Sequence, residues 1–257
     1  MSLDTTLVSA NGSGPSVNGS AAAPILQLES VEAGYGATVV LRDVELSVPA
    51  GSIVALLGAN GAGKTTSLRI ASGLLRPLRG RVVFDGEDVT ALSASRRAAR
   101  GMCLIPEGRG IFRRLTVREN LELFLPPWKS GSKAGALEAA ITAFPVLGSR
   151  RNQIAGSLSG GEQQMLAVAR AYLGSPKLIL ADELSMGLSP IVVDKIYESL
   201  QQLNETGVGL LVVEQYVDRA LEMADYVYVL VRSRIVWSGP AKEMDEAMLT
   251  ESYLGGA

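Results

Sequence analysis

The sequence predicts an α/β fold: a mixed, largely parallel sheet with helices, preceded by an antiparallel β layer and interrupted by an inserted α-helical lobe. Three observations carry this. Continuous apolar runs of strand length, such as "SIVALLG" and "KLILAD", mark strands buried on both faces. The stretches "ILQLESVEAGY" and "VVLRDVELSV" alternate apolar and polar residues, as half-buried antiparallel strands do. Between Glu107 and Ser159 the buried strands stop and helical patterns replace them.

The elements follow in order. Residues 1–24 are rich in Ser, Gly, Asn and Ala and lack the basic start and apolar centre of a signal peptide; they are expected to form a flexible tail, with one domain over 25–257. After "SIVALLG" a helix is expected from Lys64, then a short hairpin at "GRVVFDGEDV" and a buried strand at "GMCLIP". The lobe, at about 107–173, begins with "LTVRENLELFL", where Thr116 and Glu119 have capping-box spacing, and continues through "ALEAAITAF". Ser159 and Glu162 form a second capping box ahead of "MLAVARAYL". Ser189 and Pro190 open an amphipathic helix that runs towards Thr206, and "GLLVVE" and "YVYVLV" supply two more buried strands.

Composition narrows the chemistry. A chain of 257 residues that is 47% hydrophobic can bury a substantial core, which excludes a disordered protein. A net charge of -2 offers no general basic surface for nucleic acid. Histidine is absent, so catalytic triads, imidazole bases and metal sites that depend on it are excluded. Cys103 is the only cysteine, sits in an apolar run and reads as a small buried hydrophobe. No apolar run approaches the roughly 18 residues of a membrane span, which predicts a chain that is soluble by itself.

The strongest chemical signal is "GANGAGKTT", between a buried strand and a helix. Glycines at 58, 61 and 63 let backbone N–H groups turn inwards around a phosphate, Lys64 adds a positive charge, and Thr65 offers a hydroxyl to Mg²⁺. The run resembles the phosphate-binding loop of a P-loop NTPase core, and Gly58, Asn60, Gly61, Ala62, Gly63, Lys64, Thr65 and Thr66 are its candidate nucleotide contacts. The strand "KLILADE" ends in two carboxylates: Asp182 suits the Mg²⁺ shell, and Glu183, with no histidine available, is the leading base for the attacking water. The two glycines after Ser159 cost about 1 kcal/mol each in a helical first turn, so something must approach that backbone closely. A helix N-terminus there is an anion site, suited to another subunit's nucleotide.

"LSGGEQQ", at Leu158 to Gln164 and between the phosphate loop and the Asp182–Glu183 strand end, closely resembles the signature of ATP-binding-cassette (ABC) ATPases, and the resemblance extends from Ile25 to Gly256. It implies a head-to-tail sandwich in which Ser159, Gly160, Gly161 and Gln163 complete the partner's ATP site. It also implies that Tyr35 stacks on adenine, that Glu107, where most of the family has Gln, ligates Mg²⁺ or water, and that Gln215, where His is common, contacts the γ-phosphate. Leu184 replaces a usual Pro and Ser189 a usual Asp, which puts communication between the two sites in question. "PEG" at 106–108, "VEQ" at 213–215, "MGLSP" and "SYLGG" resemble the ATPases of branched-chain amino acid importers, whose close relatives serve urea, short amides or other small polar solutes. The implied partners are a second ATPase, identical or not, two transmembrane permeases and a solute-binding protein, with the ATPase peripheral on the cytoplasmic membrane face. A nucleotide-gated clamp with little hydrolysis is the alternative from another class.

Overall fold

The computed structural model describes residues 23–125, 133–214 and 217–244. Residues 1–22, covering most of the expected tail, together with Gln215 and the "SYLGG" ending, lie outside the described residues.

The first layer is the expected antiparallel one. Strand β1 (Pro24–Tyr35) pairs with β2 (Thr38–Pro49) through a tight turn at Gly36, and a Cβ on Gly34 would lie 2.1 Å from the Thr38 carbonyl oxygen, so the hairpin closes only around a glycine. The core sheet starts at β3 (Ile53–Leu57), buried at every position, and the chain passes from it into helix α1 (Lys64–Ser72). Strands β4 (Arg79–Phe84) and β5 (Glu87–Asp88) form the expected hairpin and join the first sheet, whose order is β2-β1-β4-β5. Helix α2 (Ala94–Ala99) precedes β6 (Met102–Ile105). Cys103, on β6, is half-buried rather than fully buried as expected, and desolvation pushes its thiol up to about 11.

Among the described residues four α-helices lie between β6 and the next strand, where the inserted lobe is expected: α3 (Val117–Leu123), α4 (Lys133–Ala143), α5 (Pro145–Ser149) and α6 (Gly160–Gly174). The remaining elements are β7 (Leu178–Asp182), α7 (Pro190–Glu205), β8 (Gly209–Val213), α8 (Val217–Met223), β9 (Tyr226–Val231) and β10 (Arg234–Pro240). The core sheet has the order β10-β9-β3-β8-β7-β6 and is parallel except for β10. Leu26, Leu28 and Leu41 of the first sheet pack with Leu68 and Ile70 of α1 and with Leu56, Leu180 and Leu211 of the core sheet, so α1 is held between the two sheets. On the other face Ile105, Ile179 and Leu210 meet Leu166 of α6 and Ile196 and Leu200 of α7. Each such side chain contributes about 1.5–3 kcal/mol when taken out of water.

This topology sets β3, β7 and β8 side by side with their carboxyl ends together, Leu56 opposite Val213 and Asp182 opposite Val213. The loops that leave those ends form the crevice where open α/β sheets bind ligands.

At the start of α3 the Thr116 side chain accepts from Glu119 N at 3.2 Å while Glu119 Oε2 accepts from Thr116 N at 2.7 Å, the expected capping box. Thr116→Ala should cost about 1 kcal/mol of stability, read from the midpoint of urea unfolding. Ser189 occupies the N-cap of α7 as expected but makes no side-chain capping bond there.

Candidate nucleotide site

The phosphate loop is built by packing as well as by backbone freedom. Gly58 has φ 156° and a Cβ there would stand 2.3 Å from the Leu230 carbonyl oxygen; Gly63, at φ 117°, would meet Leu41 Cδ2 at 2.6 Å. Gly61 differs, because its φ of 81° needs a glycine while nothing lies within 4 Å of its missing Cβ. The loop is clamped at both ends and open above Asn60 and Gly61, which are exposed, while Ala62 and Thr66 are buried beneath it. Helix α1 begins at Lys64 with no side-chain cap and no acidic residue in its first turn, so its positive end faces the open loop undiminished.

Lys64 is 4% exposed, and its Nζ donates to Gly58 O at 2.9 Å and Ala59 O at 3.4 Å and lies 3.5 Å from Glu183 Oε1. Thr65 Oγ1 donates to Asp182 Oδ1 at 3.1 Å, and Asp182 is 3% exposed. Burial lifts the Asp182 carboxyl to about 6; the Thr65 hydrogen bond opposes this, the charges of Glu183 and Glu107 add to it, and Lys64 opposes it. The hydroxyl and carboxylate oxygens of Thr65 and Asp182, with two more carboxylates near enough to raise Asp182, make a donor set suited to a hard cation. Among the described residues no three Asp, Glu, His or Cys side chains gather into a metal cluster of their own. The Thr65 hydroxyl and Asp182 carboxylate fit Mg²⁺, which keeps waters and takes phosphate oxygens.

Glu183 has φ 48°, a left-handed conformation, and its amide donates to Val213 O at 2.9 Å. Glu107 is exposed on the loop after β6. Tyr35 is 44% exposed, and its hydroxyl accepts a hydrogen bond from Arg69 of α1 at 3.1 Å. Leu184 is 1% exposed and packs in the core, so the residue that stands in place of a proline serves there by burial.

The second capping box is present: Glu162 N donates to Ser159 Oγ at 3.3 Å and Ser159 N to Glu162 Oε2 at 2.9 Å. What approaches the two glycines within the chain is visible too. A Cβ on Gly161 would meet Val192 of α7 at 2.9 Å, and one on Gly160 would meet the Arg109 guanidinium at 3.0 Å. Gln163, expected to touch the partner's nucleotide, is 5% exposed; its oxygen accepts from Arg109 at 2.8 Å and its amide donates to Leu158 O at 3.0 Å. Both ends of its side chain are engaged within the chain, where they support the turn ahead of α6.

Arg109 and Arg170 have no part in the sequence-based expectations. Residues 108–110 all have positive φ, and Arg170 holds them by donating to Arg109 O and Gly110 O, each at 2.8 Å. The "GRG" between Glu107 and Ile111 is the one sequence signal of this turn.

The order of phosphate loop, capped Ser-Gly-Gly helix and Asp-Glu strand end agrees with comparison against known proteins. The ABC transporter family model matches residues 41–185. The chain belongs to the ABC transporter family. As an ABC cassette it binds ATP and is an ATPase. It is 40% identical to the high-affinity branched-chain amino acid transport ATP-binding protein BraG of Pseudomonas aeruginosa, over 90% of this chain and 100% of BraG. It is 37% identical to the lipopolysaccharide export system ATP-binding protein LptB of Haemophilus influenzae, over 90% of this chain and 97% of LptB. Among solved structures, the dimeric bacterial ABC transporter cassette MJ0796 superposes with a TM-score of 0.75 at 27% identity, covering 85% of this chain and 100% of that one. Among the described residues of the cassette no helix is long and apolar enough to cross a membrane.

Proposed function

We propose that the cassette is the ATP-hydrolysing motor of an importer for branched-chain amino acids, peripheral on the cytoplasmic face of the inner membrane. Its partners are two transmembrane permeases, a solute-binding protein and a second cassette. The observation that carries the solute is the 40% identity to BraG along that protein's whole length.

In this reading Tyr35 holds adenine, and the backbone from Gly58 to Thr66 cradles the phosphates. Thr65 and Asp182 would hold Mg²⁺, which when bound would draw charge from the phosphate oxygens, and Glu107 would contribute a carboxylate to the metal or its water. Glu183 takes the proton from water as the water oxygen bonds to the γ-phosphorus and the bond from that phosphorus to the β–γ bridging oxygen breaks, releasing ADP, while Lys64, 3.5 Å from Glu183, balances charge on the oxygens of the transferred group. Gln215 donates from its amide to the γ-phosphate. Ser159, Gly160 and Gly161 present the positive end of α6 to the partner's nucleotide. The MJ0796 dimer supports such a paired arrangement.

The likeness to LptB favours a second reading, an exporter of lipopolysaccharide. Deletion of the gene should lower energy-dependent leucine uptake by at least tenfold and leave the outer membrane's antibiotic barrier intact. Normal leucine uptake with lost urea or amide uptake would reassign the solute, and a leaky outer membrane would favour export.

A further inference from the structure

Glu214, immediately after β8, is fully buried, and hydrolysis as proposed makes no use of it. Its carboxylate grips one residue twice: Ser185 Oγ donates to Oε2 at 2.6 Å and Ser185 N to Oε1 at 3.3 Å. Ser185 is itself 4% exposed. The ladder between β7 and β8 ends with Asp182 opposite Val213, and one further backbone bond runs from Glu183 N to Val213 O at 2.9 Å. Beyond it the chain turns away, and the Glu214 side chain takes over where a strand would otherwise continue.

Between these two grips sits Glu183 in the left-handed conformation, φ 48°. A side chain other than glycine holds that conformation only where its surroundings over-determine it. Its neighbours do so: the Val213 carbonyl behind it, buried Leu184 next to it, and Ser185 fixed by Glu214. Tyr197 of α7 closes the same pocket with a buried hydroxyl, whose pKa is pushed far up by burial and then by the Glu214 charge. An apolar side chain would fill this space at lower desolvation cost. Only a carboxylate or its amide offers two polar atoms spaced to meet the N–H and O–H of a single serine.

We propose that Glu214 is a positioning residue for hydrolysis: by gripping Ser185 it fixes the 183–185 turn and so holds the Glu183 carboxylate beside Lys64. The proposal rests on the reading of Glu183 as the base. The test compares Ser185→Ala, Glu214→Leu and Glu214→Gln in the purified full-length chain, measuring kcat and KM for ATP hydrolysis, fluorescent-ATP binding and the thermal midpoint. Ser185→Ala and Glu214→Leu should lower kcat at least tenfold with KM and binding within twofold. Glu214→Gln, which can accept from the amide and donate to the hydroxyl, should recover at least a third of kcat. A Ser185→Ala kcat within twofold of the parent overturns the proposal, as does a change confined to KM or to the thermal midpoint, or a Glu214→Gln variant as impaired as Glu214→Leu. If Glu214→Leu does not fold, Ser185→Ala, which removes one buried oxygen, decides alone. Normal turnover in Glu183→Gln would defeat the base reading instead, whereas an inactive Glu183→Gln beside a normal Ser185→Ala would defeat only the positioning role.

Discussion

Glu183→Gln should lower ATP turnover at least a hundredfold and leave ATP binding intact. The size follows from general-base chemistry, in which a positioned base contributes about 10²- to 10⁴-fold, and with no histidine in the chain Glu183 is the leading group to take the proton. Binding survives because glutamine keeps the shape and removes a negative charge that stands 3.5 Å from Lys64 and beside the phosphate loop. If two cassettes share each triphosphate, a variant that cannot break it should stay closed. Gel filtration should then show a dimer with ATP and a monomer with ADP. Single-turnover phosphate release, measured on the same variant, gives the rate. Turnover at the parental rate would remove Glu183 from the mechanism, and absence of phosphate release from the parent protein itself would favour the nucleotide-gated clamp.

The parts of the fold that are legible in the sequence are those in which a local pattern has one physical meaning. Five consecutive apolar residues at 53–57 can only be a strand buried on both faces once a glycine loop follows, and Thr116–Glu119 and Ser159–Glu162 specify helix starts through bonds made within four residues. Strand β10 is not legible, because its hairpin turns through Arg232 and Ser233, both at positive φ, without the glycine or asparagine that normally marks such a turn. Helix α2 is hidden for a related reason. Its Arg97 is 1% exposed and donates to the carbonyls of Ile70 and Ala71 at the end of α1, at 2.7 Å each, an attachment that no local pattern reveals. Burial lowers that guanidinium to about 10.

The site divides the same way. Lys64, Thr65, Asp182 and Glu183 are legible because the glycine loop and the carboxylate-ended strand each carry a local pattern; that the two meet across β8, which lies between β3 and β7, is visible only in the sheet order. The glycines at 160 and 161 announce a close approach but not its source, since Val192 and Arg109 reach them from α7 and from the loop after β6. In the sequence Glu214 is no more than the polar end of an apolar strand; only the tertiary structure sets it against Ser185.

Lys64→Ala should abolish turnover as well, but by removing the nucleotide rather than the base, so ATP affinity should fall at least a hundredfold. Charge-assisted hydrogen bonds contribute about 1.5–3 kcal/mol each, and one ammonium able to reach two phosphates accounts for a loss of that order. The fold should persist, because Nζ lies among the carbonyls of Gly58 and Ala59 and the Glu183 carboxylate, while the loop's shape is set by Leu230 and Leu41 against Gly58 and Gly63. Lys64→Arg separates charge from geometry. Its planar guanidinium cannot enter a site that is 4% exposed and shaped for a compact ammonium, so it should restore less than a tenth of the lost affinity. Titration calorimetry with ATP and Mg²⁺ reads both variants. Tight binding by Lys64→Ala would mean that backbone amides and helix α1 hold the phosphates alone, and would move Lys64 from binding to the hydrolytic step.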